Sequence, residues 1–92
     1  MKYELSVTTR FKKDFRKALK QGRNSKLMDE VVGLLVAGNT LPEKFKDHFL
    51  TGKWSGYKEC HILPDWLLIY RIEKNILVLT LSRTGSHSEL FD

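Results

Sequence analysis

The spacing of apolar residues along the chain resolves it into six regular segments. Tyr3, Leu5 and Val7 alternate with polar neighbours and predict a first strand over residues 2–7. From there to about residue 21, Phe11, Phe15, Ala18 and Leu19 fall at helical spacing. Lys12, Lys13, Arg16, Lys17 and Lys20 take the remaining surface, which makes this a basic amphipathic helix. Thr8 or Thr9 can cap its start, and Gly22 stops it. Asn24 and Ser25 open a second helix carrying Leu27, Met28, Val31, Val32, Leu34 and Leu35, which ends near Gly38 and Asn39. So few residues join the two that an antiparallel pair is expected.

Residues 41–50 show neither period and contain Pro42, so they read as a connection that lays Lys44, Lys46 and His48 over the surface. Three strands are expected after it. In residues 56–62, Tyr57, Glu59 and His61 alternate with Lys58, Cys60 and Ile62, which sets His61 on the polar face and Cys60 on the apolar one. Residues 66–72 are apolar on both faces and predict a central strand. Glu73, Lys74 and Asn75 suit a three-residue turn, with Asn in the left-handed position, and residues 76–82 return as the last strand. Gly85 then hinges the tail, where Ser86 or Ser88 can cap one closing turn. The order strand, helix, helix, strand, strand, strand predicts an α+β fold with two helices on one face of a small antiparallel sheet. The other face is then the working one, where Glu59, His61 and Arg83 project.

Ninety-two residues with 41% hydrophobic and 29% charged content fit one domain, residues 1–92, with one modest core. The formal charge of +5 favours an anionic partner, because clustered Lys and Arg release counterions from a phosphate backbone. No apolar run approaches the roughly 20 residues of a membrane span, and the N-terminus lacks the apolar core of a signal peptide, so a cytoplasmic protein is expected. The single Cys60 forms no internal disulfide, and its apolar face points to packing rather than nucleophilic chemistry.

Candidate chemistry is concentrated after residue 47, where all three histidines lie: His48, His61 and His87. An imidazole of ordinary pKa, about 6.5, works as acid or base near neutrality. Pro64 restricts the loop after His61, so His61 and Asp65 are expected to leave one hairpin end as close neighbours, an acid/base pair. Each residue has a plainer role beside this one. A surface His is commonly just solvated, Pro-Asp is a common turn in which Asp bonds the backbone, and Trp54, Trp66 and Phe91 serve either as core or as stacking surfaces for bases.

Metal-ligand residue types are present without a CxxC, an HExxH or a His pair at i, i+4, and Cys60 and His61 face opposite ways, so no metal site is expected. Phosphate-binding glycine loops and a serine nucleophile elbow are absent from the sequence. A basic surface with histidines, a carboxylate and aromatics suits cleavage of RNA through its own 2′-hydroxyl. That reaction needs a base for the 2′ proton, an acid for the departing 5′ oxygen and a cation for the phosphate, with no cofactor. Histidine and Asp65 supply the first two, and Arg83 the third.

Several motifs carry a family resemblance. Lys46-Asp-His48, Leu50-x-Gly52-x-Trp54-x-Gly56-Tyr57, His61-Ile62-x-Pro64-Asp65-Trp66-Leu67-Leu68-Ile69-Tyr70 and Arg83-Thr84-Gly85-Ser86-His87-Ser88-x-Leu90-Phe91 together resemble the YafQ branch of the RelE/ParE toxin superfamily. They cover about half the chain in the family's order; one departure is Phe49, where the family pattern often has Pro. The N-terminal half is similar only in its strand-helix-helix pattern and basic composition.

The resemblance implies a RelE-like fold and a ribosome-dependent mRNA endonuclease. It also implies the toxin of a toxin–antitoxin pair, bound by a DinJ-like antitoxin in a hetero-oligomer. His48, His61, Asp65 and His87 match its catalytic set, with His87 as general acid, His61 and Asp65 sharing base and orienting work, and His48 holding the phosphate. Trp66 and Phe91 match aromatics that shape the active site, and Arg83, Lys53 and Trp54 join them as substrate-binding candidates. Two other readings stand beside this one: a ParE-like gyrase inhibitor without nuclease activity, and a plain RNA-binding module.

Overall fold

The periods are realised close to where the spacing puts them. A computed structural model of the chain describes residues 1–91. Its elements are β1 (Glu4–Val7), α1 (Thr9–Lys20), α2 (Ser25–Val36), β2 (His48–Phe49), β3 (Lys58–Leu63), β4 (Trp66–Glu73), β5 (Val78–Gly85) and α3 (His87–Phe91). Thr8 is the cap of α1: its hydroxyl accepts from the Phe11 N–H at 2.9 Å and donates to the Ser82 carbonyl at 2.9 Å, tying the helix start to β5. The Asn24 side chain caps α2 by accepting from the Lys26 N–H at 2.9 Å. Gly38, at φ +81°, ends α2 while the Asn39 N–H donates to the Leu34 carbonyl.

The sheet runs β1-β5-β4-β3-β2. The α+β class and the element order hold, with one refinement: the sheet is mixed, because β1 lies parallel to β5 while every other pair is antiparallel. No hairpin joins β1 to β5, so nothing forces them to oppose. Two residues of the expected connection, His48 and Phe49, pair with Glu59 and Lys58 as β2. The β4–β5 turn differs too. Glu73 pairs with Val78, and Leu77 rather than Asn75 takes the left-handed backbone at φ 55°. The Leu77 carbonyl accepts from the Glu4 N–H at 2.8 Å, so docking of β1 fixes that peptide.

Alternation along β4 divides the interior in two. Trp66, Leu68 and Tyr70 face the helices, where Phe11, Ala18, Met28, Val31 and Leu35 close the main core together with Cys60, Ile62, Leu79 and Leu81. Leu67 and Ile69 face the other way and meet Leu90, with Leu50, Trp54, Tyr57 and Phe91 partly buried around them. Burial of β4 from both sides explains its unbroken apolar run. It also leaves the second face only partly covered, by the 50–57 loop and α3.

Candidate active site on the open sheet face

Strand register assembles a row of side chains across that face. His48 on β2 pairs with Glu59 on β3, Glu59 with Ile69 on β4, and Ile69 with Arg83 on β5. The next row on the same face runs His61, Leu67, Gly85. At about 4.8 Å per strand the first row spans roughly 14 Å. Polar groups therefore sit at both ends of an apolar floor made by Leu67 and Ile69.

At the β2–β3 end, one carboxylate stands between two imidazoles. Glu59 Oε1 lies 3.5 Å from His48 Nε2 and 3.6 Å from His61 Nε2, with the His48 and His61 ring centres 6.3 Å apart. The Glu59 side chain is 7% exposed, and its Oε2 is buried with no partner among the described residues. His48 Nδ1 is 2.7 Å from the Lys46 carbonyl. A carbonyl only accepts, so Nδ1 carries the hydrogen and Nε2 is turned to Glu59.

At the β5 end, Arg83 and the tail supply the other polar groups. Arg83 is not a free cation: its Nε donates to Asp14 Oδ2 at 2.7 Å, a second guanidinium nitrogen donates to Oδ1 at 3.3 Å, and Asp14 also accepts from the Thr84 N–H. Asp14, the one acid in the otherwise basic α1, thus fixes both the guanidinium and the strand that carries it. His87 opens α3, whose start is a reciprocal capping box. The Glu89 N–H donates to the Ser86 hydroxyl, and the Ser86 N–H donates to Glu89 Oε1 at 2.8 Å. Lys17 of α1 adds an ion pair to Glu89 at 2.9 Å. The Ser86 backbone bond, followed by Lys17, holds the Glu89 carboxyl down at about 2. His87 itself is exposed, with its ring centre 4.9 Å from that of Phe91.

Two expectations need correcting. His61 and Asp65 do not form a pair. Leu63 pairs with Trp66, and a register shift after His61 leaves Asp65 in the turn, 76% exposed, where Arg23 bonds its carboxylate and its carbonyl. Glu59 stands where Asp65 was expected. Trp66 offers no face to a base: it is fully buried on the helix side, with the Arg23 guanidinium 5.3 Å from its ring centre. Trp54 packs edge-on to Tyr57 at 5.2 Å in the second core, and Lys53 beside it is exposed. Cys60 is buried, and burial with the nearby Asp47 and Glu59 carboxylates pushes its thiol up to about 12, which suits packing. Among the described residues no group of three or more His, Cys, Asp or Glu is arranged to hold a metal ion, and no helix is long and apolar enough to cross a membrane.

Comparison with known proteins places this geometry among relatives. The model of a family described as the bacterial toxin of type II toxin–antitoxin systems, YafQ, matches residues 3–92. The mRNA interferase toxin YafQ of Escherichia coli K12 is 36% identical over 90 residues, which cover 96% of this chain and 95% of that protein. The toxin in a crystal structure of the E. coli DinJ-YafQ complex superposes with a TM-score of 0.90 at 33% identity, over 98% of this chain and 99% of that one. A metal-bound toxin from Helicobacter pylori gives 0.91 at 43% identity, over 97% and 99%.

Proposed function

The chain belongs to the YafQ family of bacterial type II toxins, and from that premise we propose that residues 1–92 are one toxin domain acting in the cytoplasm as a ribosome-dependent mRNA endonuclease. A DinJ-like antitoxin is its neutralising partner, as DinJ accompanies the E. coli toxin. The observation that carries the catalytic reading is the Glu59 carboxylate held between His48 and His61, on the face that also bears Arg83 and ends at His87. A gyrase inhibitor or a passive RNA binder has no use for a buried carboxylate ordering two imidazoles.

The mechanism follows from what each group can do. His61, oriented by Glu59, takes the proton of the 2′-hydroxyl, and O2′ attacks the adjacent phosphorus. His87 gives a proton to the leaving 5′ oxygen. Arg83, its guanidinium fixed by Asp14, and His48 meet the charge that builds on the phosphoryl oxygens. Bond making at O2′ and bond breaking at O5′ leave a 2′,3′-cyclic phosphate and a 5′-hydroxyl. Phe91 lines the site beside His87, and Lys53 and Trp54 border it on the loop. Asp65, held by Arg23, is a second carboxylate at the rim.

Product chemistry tests this reading. Ribosome-bound message should be cut to cyclic-phosphate and 5′-hydroxyl ends. Cleavage should stop when the nucleotide 5′ to the scissile bond is 2′-deoxy. Cutting of the deoxy message would rule out attack by the 2′-hydroxyl.

A further inference from the structure

The two residues of β2 face opposite ways. His48 belongs to the site just described, whereas Phe49 stands on the other side of the sheet edge and is 70% exposed, the only Phe, Tyr or Trp among the described residues left so open. Its surroundings are ordered and basic. Lys58 Nζ sits 4.9 Å from the Phe49 ring centre while donating to Asp47 at 2.7 Å, and the Tyr70 hydroxyl donates to the same Asp47 carboxylate. Among the described residues Asp47 is the one acid in the wall of the cavity there, of about 340 Å³, and Lys58 neutralises it. Lys2 and Lys74 line the same cavity and leave it with an excess of positive charge. Lys2 is laid against Gly38, where its aliphatic carbons occupy the space a Cβ would need.

We infer that this cavity is a second RNA subsite, in which a base outside the scissile pair stacks on Phe49 while Lys2 and Lys74 meet the flanking phosphate. The inference rests on the RNA-cleavage reading and adds to it a place where the strand goes. His48 and Phe49 are consecutive, with Cα atoms about 3.8 Å apart, and β2 is the last strand of the sheet. A strand leaving His48 therefore crosses that edge directly onto the ring. Any base presents a face that an exposed aromatic accepts, and cations beside the ring suit the phosphates that accompany it. An acidic peptide would engage the lysines without needing the ring.

Binding of a short single-stranded RNA, 2′-O-methylated so that it cannot be cut, separates this inference from the nuclease reading, since no cleavage is needed to read it. Phe49→Ala should weaken binding by about fivefold to a hundredfold, the worth of one stacked base, and Phe49→Trp should keep it. Lys2→Ala with Lys74→Ala should flatten the salt dependence by about 0.7 in log–log slope, the share of the one flanking phosphate they meet. Because Phe49 is exposed, these variants should melt as the parent does. Absence of binding by the parent protein, or affinity within twofold for Phe49→Ala, overturns the subsite. So does a Phe49→Ala variant that loses affinity only for the DinJ-like antitoxin, which would make the surface the antitoxin's.

Discussion

Glu59 shows how much of this site one residue can organise. A carboxylate with one oxygen unpartnered among the described residues and nearly all of its surface buried is costly, and such cost gathers at functional positions. Replacing it with Gln keeps the shape and removes the charge. Interactions with a charged group are worth about 1.5–3 kcal/mol, so Glu59→Gln should slow single-turnover cleavage by roughly 10- to 100-fold at a melting temperature no lower than the parent's. A full rate from the folded variant would remove Glu59 from the mechanism.

The two-residue period already put Glu59 and His61 on one face. What it hid was the partner across β2, because a strand of two residues has no period to read. Asp65 was the opposite case: nearness in sequence suggested a pairing that the register shift after His61 undoes. Asp14 had a visible signal as the lone acid of a basic helix, but its target on β5 lies 69 residues away.

At the scale of elements, α3 matters most to the proposed chemistry, since it carries His87, the proposed general acid, and is too short to hold itself. Its start depends on the Ser86–Glu89 box and on Lys17. The Glu89 carboxyl is depressed from 4.5 to about 2 in the fold, so the stability it contributes is present above about pH 4.5 and fades as pH falls toward 2. The protection factors of the Ser86 and α3 amides, their exchange corrected for its intrinsic pH dependence, should therefore fall below about pH 4 while those of β4–β5 hold. In Glu89→Gln they should be low already at neutral pH and no longer vary with pH. Protection factors that stay constant with pH in the parent would contradict the cap's role. The capping serine, the helix caps at Thr8 and Asn24 and the central strand were all legible from side-chain chemistry close in sequence. The left-handed Leu77 was not, because its conformation answers to a hydrogen bond from distant β1.

The whole molecule is a two-sided sheet. One side is closed by α1 and α2, and the other is half-covered, which leaves the row from His48 to Arg83 open to the proposed RNA substrate. That plan could be read from the element order and from the double-sided burial of β4. The mixed sheet could not, since parallel pairing of β1 with β5 is decided by ends of the chain some 74 positions apart.

α1 exposes Lys13 and leaves Arg16 partly exposed, and neither makes an ion pair among the described residues, although Lys13 borders the cleft that holds Asp14, Lys17, Arg83 and Glu89. We expect this surface to meet ribosomal RNA. Reversing Lys13 and Arg16 to Glu should weaken ribosome binding and reduce its steepness with salt, and an affinity unchanged across the salt series would refute that contact. The most direct test of the nuclease account is to map message ends on translating ribosomes given this protein, beside His87→Ala and a ribosome-free lane. Cuts at codon-related positions, with the parent protein and ribosomes only and with His87→Ala slowed about 100- to 10,000-fold, are the result expected. Intact message in every lane, from protein shown to be folded, would contradict it.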